Sequence, residues 1–431
     1  MRIKPQFSWT NKIVVDGRPS QHIIINIITV IIIIMVIVTR FTDKRKLEKI
    51  KPPLLVYGRR KTGKTFLIKN YFKEAEYFFV RRDRSVFWEN KKEILTYNEF
   101  LKILDVYEDK LMIIDEFHRL PEDFLDFLHY KSPKNLILIT STMFLAKKLL
   151  NEKSSLLGLF LEYKVDLIDE RDILINLSKY FEGKELIEKS VFLREPLLLR
   201  WYNVGLYEII NSLKITVPAL IGEVFIEEDR KLTERYEGIL RAVASGKQSL
   251  TEITNFLYSR NLIESQNPSC IKPYLNTLLN LGLLKRYKEY GGKGYKYFVS
   301  SPLIDIYFYL DEKYNFSEED LDKKYLLEKI PFYVEDFFRN LLAKIYNYRI
   351  FIINRPNLEI DIVLGDFKRI KLVGEVKWRE NIDKREILVM DKKLEKFGKA
   401  KKILIVPNKN NLDTFPEKTE VYDVRDIINL L

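Results

Sequence analysis

The chain has 431 residues, too long for one ordinary domain and suited to roughly two to four. Hydrophobic residues make up 46% and aromatic ones 13%, enough for real cores, while a single cysteine, Cys270, excludes a disulfide framework and fits a reducing cytosol. Three histidines, His22, His118 and His129, are too scattered for a zinc site. The net charge of +12 leaves three readings: a polyanionic partner, a solvated basic surface, or the Ile, Lys and Glu richness of a high-temperature protein.

Residues 1–22 are polar and without pattern. Ile23 to Thr39 is almost wholly apolar and rich in isoleucine. As a helix it spans about 25 Å, short of the ~30 Å hydrocarbon core. Three readings stand for it. The first is a marginal membrane anchor with the remainder in the cytoplasm, since Arg40, Lys44, Arg45, Lys46, Lys49 and Lys51 follow. The second is a translated leader ahead of a true start at Met35. The third is a buried strand. Residues 40–50 then form a short basic helix.

Leu54 to Tyr57 is an apolar strand that stops at Gly58. Gly58-Arg59-Arg60-Lys61-Thr62-Gly63-Lys64-Thr65 has the spacing GxxxxGK[ST] and runs into the helical pattern Phe66 to Phe72. Such a loop wraps backbone N–H groups around phosphate oxygens, and glycines stand where a Cβ intrudes or φ turns positive. The helix N-terminus adds partial positive charge. ATP is the expected ligand, with Lys64 on the β/γ-phosphates and the Thr65 hydroxyl on Mg²⁺. Residues 66–110 continue with a strand at Tyr77–Val80, a polar segment, and a helix at Tyr97–Leu104. Leu111 to Ile114 is the partner strand, ending in Asp115-Glu116. Asp115 is expected to hold Mg²⁺ through water and Glu116 to polarise the attacking water. A helix around Glu122–Tyr130 and a strand Leu136–Ile139 follow. Ser141, past that strand, is either a γ-phosphate sensor or a helix N-cap. A strand at Tyr163–Leu167 closes a parallel sheet covered on both faces. Asp169 to Leu213 reads as helices interrupted by Pro196, the size of a lid.

Past Arg235 the pattern changes. A helix at Arg235–Ala244 precedes Ser249-Leu250-Thr251-Glu252, a capped helix start. A third helix, Ile271–Leu281, leads to two strands around Gly291-Gly292-Lys293-Gly294, a glycine-turned hairpin. Three helices and a hairpin make a winged helix. It is rich in Lys and Arg, which suits DNA, although the third helix carries only Lys272 and such modules also dock proteins.

The last segment opens near Ile330 with a helix bearing Glu335. Strands follow at Arg349–Ile353, Leu358–Leu364 and Lys371–Trp378. Glu375 and Lys377 share one strand face, and Asp361 on the neighbouring strand can meet them. Two acids and a lysine among apolar neighbours suit Mg²⁺ and phosphodiester attack, since unpaired charge there is costly. The competing reading is a relic in which Lys377 bridges both acids without metal. A helix at Arg385–Leu394 and a strand at Lys402–Val406 finish an α/β/α sandwich.

With these motifs in place, the chain resembles the archaeal ATPase family in the AAA+ and STAND region of P-loop proteins. The residues carrying the resemblance are Phe41-Thr42-Asp43-Lys44, Gly58-Arg59-Arg60 with Gly63-Lys64-Thr65, Asp115-Glu116-Phe117, Val299-Ser300-Ser301-Pro302-Leu303, Glu359-Ile360-Asp361 and Gly374-Glu375-Val376-Lys377-Trp378. The resemblance implies a C-terminal domain similar to PD-(D/E)XK nucleases, of the restriction-endonuclease-like fold, with Glu335, Asp361, Glu375 and Lys377 as its site. Two departures stand out. Leu159 follows Gly158 where the family usually has an arginine, and Arg194-Glu195 precede Pro196 where it usually has glycines.

The expected fold is α/β: a P-loop NTPase sheet (40–168), a helical lid (169–230), a winged helix (231–312) and a nuclease-like domain (330–431), behind the segment 1–39. The expected protein is a cytoplasmic, Mg²⁺-dependent ATP switch acting on DNA, with a homo-oligomer left open. The alternative is a regulatory ATPase whose C-terminal domains only bind proteins.

Overall fold

In the computed structural model, residues 36–142, 158–227 and 234–431 are described. The apolar segment up to Met35 lies outside them, as do the alternatives attached to it. Val36 and Val38, which follow it, are buried. No helix among the described residues is long and apolar enough to cross a membrane.

The first sheet has strands β1 (Leu54–Tyr57), β2 (Glu76–Val80), β3 (Val86–Trp88), β4 (Glu93–Leu95), β5 (Met112–Asp115), β6 (Leu136–Thr140) and β7 (Leu161–Lys164). Their order is β4-β3-β2-β5-β6-β1-β7. From β2 to β7 all pairings are parallel, and β3 and β4 add an antiparallel edge. Alternation in sequence becomes two cores. Leu54, Val56, Ile113, Ile137 and Ile139 pack on one face with α1 (Phe41–Leu47) and α2 (Lys64–Tyr71). Leu55, Ile114, Leu136 and Leu138 pack on the other with α3 (Tyr97–Val106) and α4 (Asp123–Lys131). A strand buried on both faces is nearly all apolar, as these are. The segment between β2 and α3, expected to be polar, contains the β3–β4 hairpin. Three-residue strands carry too little alternation to stand out, yet Val86 and Trp88 are buried. The closing strand is β7, two residues earlier than the expected Tyr163 start.

Helices α5 (Glu170–Leu177), α6 (Gly183–Leu193), α7 (Leu206–Asn211) and α8 (Leu213–Glu227) follow. Next come α9 (Glu234–Ala244), α10 (Leu250–Ser259) and α11 (Lys272–Asn280), then strands β8 (Leu284–Glu289) and β9 (Tyr295–Val299). The Ser249 hydroxyl accepts from the Glu252 N–H while the Glu252 carboxylate takes the Ser249 N–H, the expected capping box.

After α12 (Pro302–Tyr314), α13 (Lys323–Leu327) and α14 (Ile330–Ile345) come β10 (Arg349–Arg355), β11 (Leu358–Gly365), β12 (Ile370–Val376), α15 (Lys384–Glu395), β13 (Lys401–Ile405), β14 (Glu420–Tyr422) and α16 (Val424–Asn429). The second sheet runs β14-β13-β12-β11-β10-β8-β9. The hairpin is therefore not a free-standing wing. β8 pairs in parallel with β10, Phe351 opposite Lys288 and Ile352 opposite Glu289. Residues 312–330 join two stretches of chain that share one sheet. Helix α15 covers one face through Ile387, Met390 and Leu394. Helix α14 covers the other through Phe338, Leu341 and Leu342, in a core that continues into α5 and α6.

Candidate functional site

The loop after β1 is built as its spacing requires. Gly58 has φ +153, and a Cβ there meets the Val165 carbonyl oxygen at 2.2 Å. Gly63, at φ +83, opens α2. The Lys64 ammonium donates to the carbonyls of Gly58 (2.9 Å) and Arg59 (3.1 Å). Burial pulls its pKa down to about 8, against the opposing pull of Glu116 and Asp115. The loop is braced from outside by Arg40, which donates to the Thr62 (2.8 Å) and Asp166 (2.8 Å) carbonyls and pairs with Asp43 at 2.6 Å. Lys61 and Thr62 lie in the turn. Lys61 takes φ +65, and the Thr62 hydroxyl donates to Arg59 O at 2.8 Å.

β6 lies between β1 and β5, so the ends of all three strands face one space. The Thr65 hydroxyl donates to Asp115 Oδ2 at 2.5 Å, and the Tyr77 hydroxyl donates to the same oxygen at 2.7 Å. Burial holds the Asp115 carboxyl above its ordinary range despite these two bonds. Glu116 adopts a left-handed backbone, φ +58, unusual for a residue with a Cβ. Its Oε2 sits 3.4 Å from Arg119 Nη2 and accepts from the Ser141 hydroxyl at 3.4 Å. His118 Nε2 is 3.5 Å away. Burial, then the Arg119 charge, depress His118 to about 4, so its contact with Glu116 is not an ion pair at neutral pH. The expected residues Lys64, Thr65, Asp115, Glu116 and Ser141 thus converge. Tyr77, His118 and Arg119 join them. Sequence reading missed them because a tyrosine in a strand and an arginine in a short turn carry no motif.

The donor set suits a magnesium nucleotide. A hydroxyl and a carboxylate in contact are hard oxygen ligands, and Gly58 and Gly63 give the loop the positive-φ backbone that lets its N–H groups wrap an anion.

Arg59 and Arg60, in the same loop, are tied to acids of the helical segment that follows the sheet. Arg59 Nη2 donates to both carboxylate oxygens of Glu195, 2.7 Å each. Ser301 Oγ donates to Glu195 Oε1. Arg60 pairs with Glu223 on α8 at 2.9 Å. Arg194, the other departure from glycine, holds Glu170 at 2.7 Å, and Lys344 on α14 reaches the same carboxylate. The charged pair before Pro196 thus links the phosphate loop, the lid and α14. Leu159 packs against the apolar core of the first sheet.

The C-terminal residues also meet. The buried Glu375 carboxylate lies 2.6 Å from Lys393 Nζ through Oε1 and 3.5 Å from Lys377 Nζ through Oε2. Asp361 Oδ2 accepts from the Val376 N–H at 2.8 Å. Burial and the Asp361 charge raise Glu375 above its ordinary range, opposed by Lys393. Burial, then Asp361, push the Glu335 carboxyl to about 8. Among the described residues no group of three or more His, Cys, Asp or Glu side chains is placed to hold a metal ion. Glu335, Asp361 and Glu375, the acids expected at a metal centre, thus lie close enough to interact without forming such a group of three. Lys393, which no sequence signal marked, offsets one acid, and a proton on Glu335 offsets another. The relic reading also changes, since Lys393 rather than Lys377 makes the shorter contact.

Residues 50–170 match the AAA domain family, so this stretch is a P-loop domain of AAA type. No curated protein sequence matches the chain. The Walker-type ATPase Paby2304 of Pyrococcus abyssi aligns with TM-score 0.45 at 19% identity, over 63% of this chain and 96% of that one. The Aeropyrum pernix ORC1 protein, solved with DNA, aligns with TM-score 0.30 at 14% identity, over 65% and 94%. A STAND protein of Pyrococcus horikoshii with a tetratricopeptide repeat sensor aligns with TM-score 0.23 at 16% identity, over 72% and 46%. Similarities of this size assign no function.

The acidic cluster has a signed pH dependence. Glu335 titrates at about 8 here against an ordinary 4.5. Its contribution to stability is therefore complete below pH 4.5 and is lost as pH rises through 8. Thermal melts between pH 6 and pH 9 should show this loss, and Glu335→Gln should flatten it. An unaltered pH profile in that variant counts against a protonated Glu335.

Proposed function

We propose that the chain is a Mg²⁺-dependent ATPase whose nucleotide state is relayed to a DNA-binding C-terminal half. The observation that carries this is the convergence of Lys64, Thr65, Asp115 and Glu116 at the ends of three parallel strands. Lys64 leaves its loop carbonyls to meet the β- and γ-phosphates, where its charge is matched. Thr65 and Asp115 would hold Mg²⁺, which neutralises phosphate charge when bound. Glu116, steered by Arg119 and Ser141, accepts the proton of the attacking water. Ser141 reports the γ-phosphate from its position beside Glu116.

Phosphate binding competes with Glu195 for the charge of Arg59. Weakening that pair loosens the lid and the Ser301 segment, and with them α12 and the second sheet. Gly58, Lys61, Thr62 and Gly63 supply the backbone cradle, and Arg60 anchors the loop to α8.

For DNA, the geometry favours a groove of ≈ 570 Å³ between α11 and the hairpin, lined by Lys272, Asn276, Arg286, Lys293 and Tyr295. Lys272, Arg286 and Lys293 are exposed. Three separated cations and a tyrosine suit a phosphate backbone. Lys285 of the same hairpin pairs inward with Asp336 on α14 at 2.5 Å and has no part in the DNA assignment. That engagement also keeps the second reading alive, in which the module docks a protein. Strand cleavage by Asp361, Glu375 and Lys377 has no part in the proposal.

Lys64→Ala should lose ATP binding, read by fluorescent-nucleotide titration. Glu116→Gln should keep binding and lower hydrolysis at least about a hundredfold; hydrolysis at the wild-type rate removes Glu116 from its role. Charge reversal at Lys272, Arg286 and Lys293 together should weaken duplex binding and reduce the slope of log affinity against log salt by about 2.7. Unchanged duplex affinity favours protein docking.

A further inference from the structure

A second basic site lies on the first sheet, away from the hairpin groove. A recess of ≈ 450 Å³ opens at the end of β2, lined by Arg60, Phe79, Arg81, Arg82, Asp83 and Arg119. Four arginines and one acid line it, with Arg60 paired to Glu223 and Arg119 to Glu116 outside it. Lys64, Thr65 and Asp115 do not line it, and it adjoins the nucleotide site through Arg60 of the loop and Arg119 beside Glu116.

The β2–β3 turn holds this display rigidly. Arg81 N donates to Ser85 O at 2.9 Å, and Asp83 Oδ1 accepts from Ser85 N (3.1 Å) and Ser85 Oγ (2.7 Å). Arg84 completes the turn at φ +67. Asp83 thus spends one carboxylate oxygen on the turn itself, and only Arg81, at 3.7 Å, pairs with it. Arg82 and Arg84 are exposed and have no acidic partner among the described residues. Arg82 in the recess and Arg84 in the adjoining turn thus stand without a counter-charge, which a polyanion supplies.

The chemistry selects the polyanion. Arginine forks match phosphate oxygens in pairs, where lysines act as point charges. The half-buried Phe79 ring lines the same recess. Phosphate-matching cations beside an aromatic ring are the elements that hold unpaired nucleotides. A duplex offers its backbone but keeps its bases stacked inside.

Arg119 connects this recess to catalysis. Its guanidinium lies 5.7 Å from the Phe79 ring centroid, donates to the Val80 carbonyl at 2.9 Å, and stands 3.4 Å from the Glu116 carboxylate. We propose that the recess binds single-stranded nucleic acid and that bound phosphates draw Arg119 away from Glu116, raising ATP hydrolysis. Freed of that contact, the Glu116 carboxylate can turn to the attacking water. The coupling rests on the ATPase reading above, whereas the binding site does not.

The test uses the full chain, a fluorescent oligothymidylate and a phosphate-release assay. The variant is Arg81→Glu with Arg82→Glu, two exposed turn residues outside the nucleotide site. Oligonucleotide affinity should fall about tenfold, and the salt slope should fall by about 1.4. Hydrolysis without oligonucleotide should stay at the wild-type rate, while stimulation disappears. The Lys272, Arg286, Lys293 reversal should keep the stimulation. Unchanged oligonucleotide affinity in the Arg81, Arg82 variant overturns the site. So does equal competition by duplex or by polyglutamate, which changes the occupant. Binding lost without any stimulation in the wild type keeps the site and overturns the coupling. A wild type with no hydrolysis at all sinks the ATPase reading, and the affinity measurements still decide the site.

Discussion

The pairing of Arg59 with Glu195 is the contact on which the arrangement depends. Both side chains are almost wholly withdrawn from water, 5% and 1% exposed. Charges so placed cost several kcal/mol each unless they are matched, and removing one partner costs about 3–5 kcal/mol. Arg59 belongs to the phosphate loop, Glu195 to the turn before Pro196, and Ser301, bonded to the same carboxylate, caps α12. Next to it, Arg194 and Lys344 share Glu170. Two short ionic links therefore run from the nucleotide loop through the lid to the helix that carries Glu335. Arg59 Nη1 has no hydrogen-bond partner although it is buried, so the pair is satisfied on one side only. A stronger acceptor nearby finds an available donor.

The same balance of held and available charge recurs around Glu116. Its left-handed backbone turns the carboxylate toward Arg119 and Ser141 and away from the end of β5. A carboxylate held by an arginine is not free to turn to water. Both switches suggested above work by moving one arginine, Arg59 or Arg119, from a carboxylate to a phosphate. In this reading the nucleotide supplies the phosphate at the first, and an unpaired strand supplies it at the second.

What could be read from the chain follows from the range of each signal. The loop from Gly58 to Thr65, the strand into Asp115-Glu116 and the capping box at Ser249 are local patterns, and each stands where it was expected. The β8–β10 pairing joins residues that no local pattern connects, so the hairpin was assigned to the winged helix (231–312) and β10 to a separate domain (330–431). Lys393 reaches Glu375 from a helix whose lysines look alike in sequence. Lys285 is different, because the signal was present. In a strand, residues 286 and 288 share a face and 285 takes the other, so alternation alone places it inward beside Tyr287.

The central claim is that nucleotide binding is felt at Ser301 through Arg59 and Glu195. Hydrogen–deuterium exchange of the amides from Ser300 to Asp305, with and without Mg²⁺-ATP, tests it most directly. The account predicts faster exchange there when ATP is bound to the wild type, and no ATP-dependent change in Glu195→Gln, which should still bind ATP. Identical exchange with and without ATP in the wild type, or an ATP response that survives in Glu195→Gln, would contradict it.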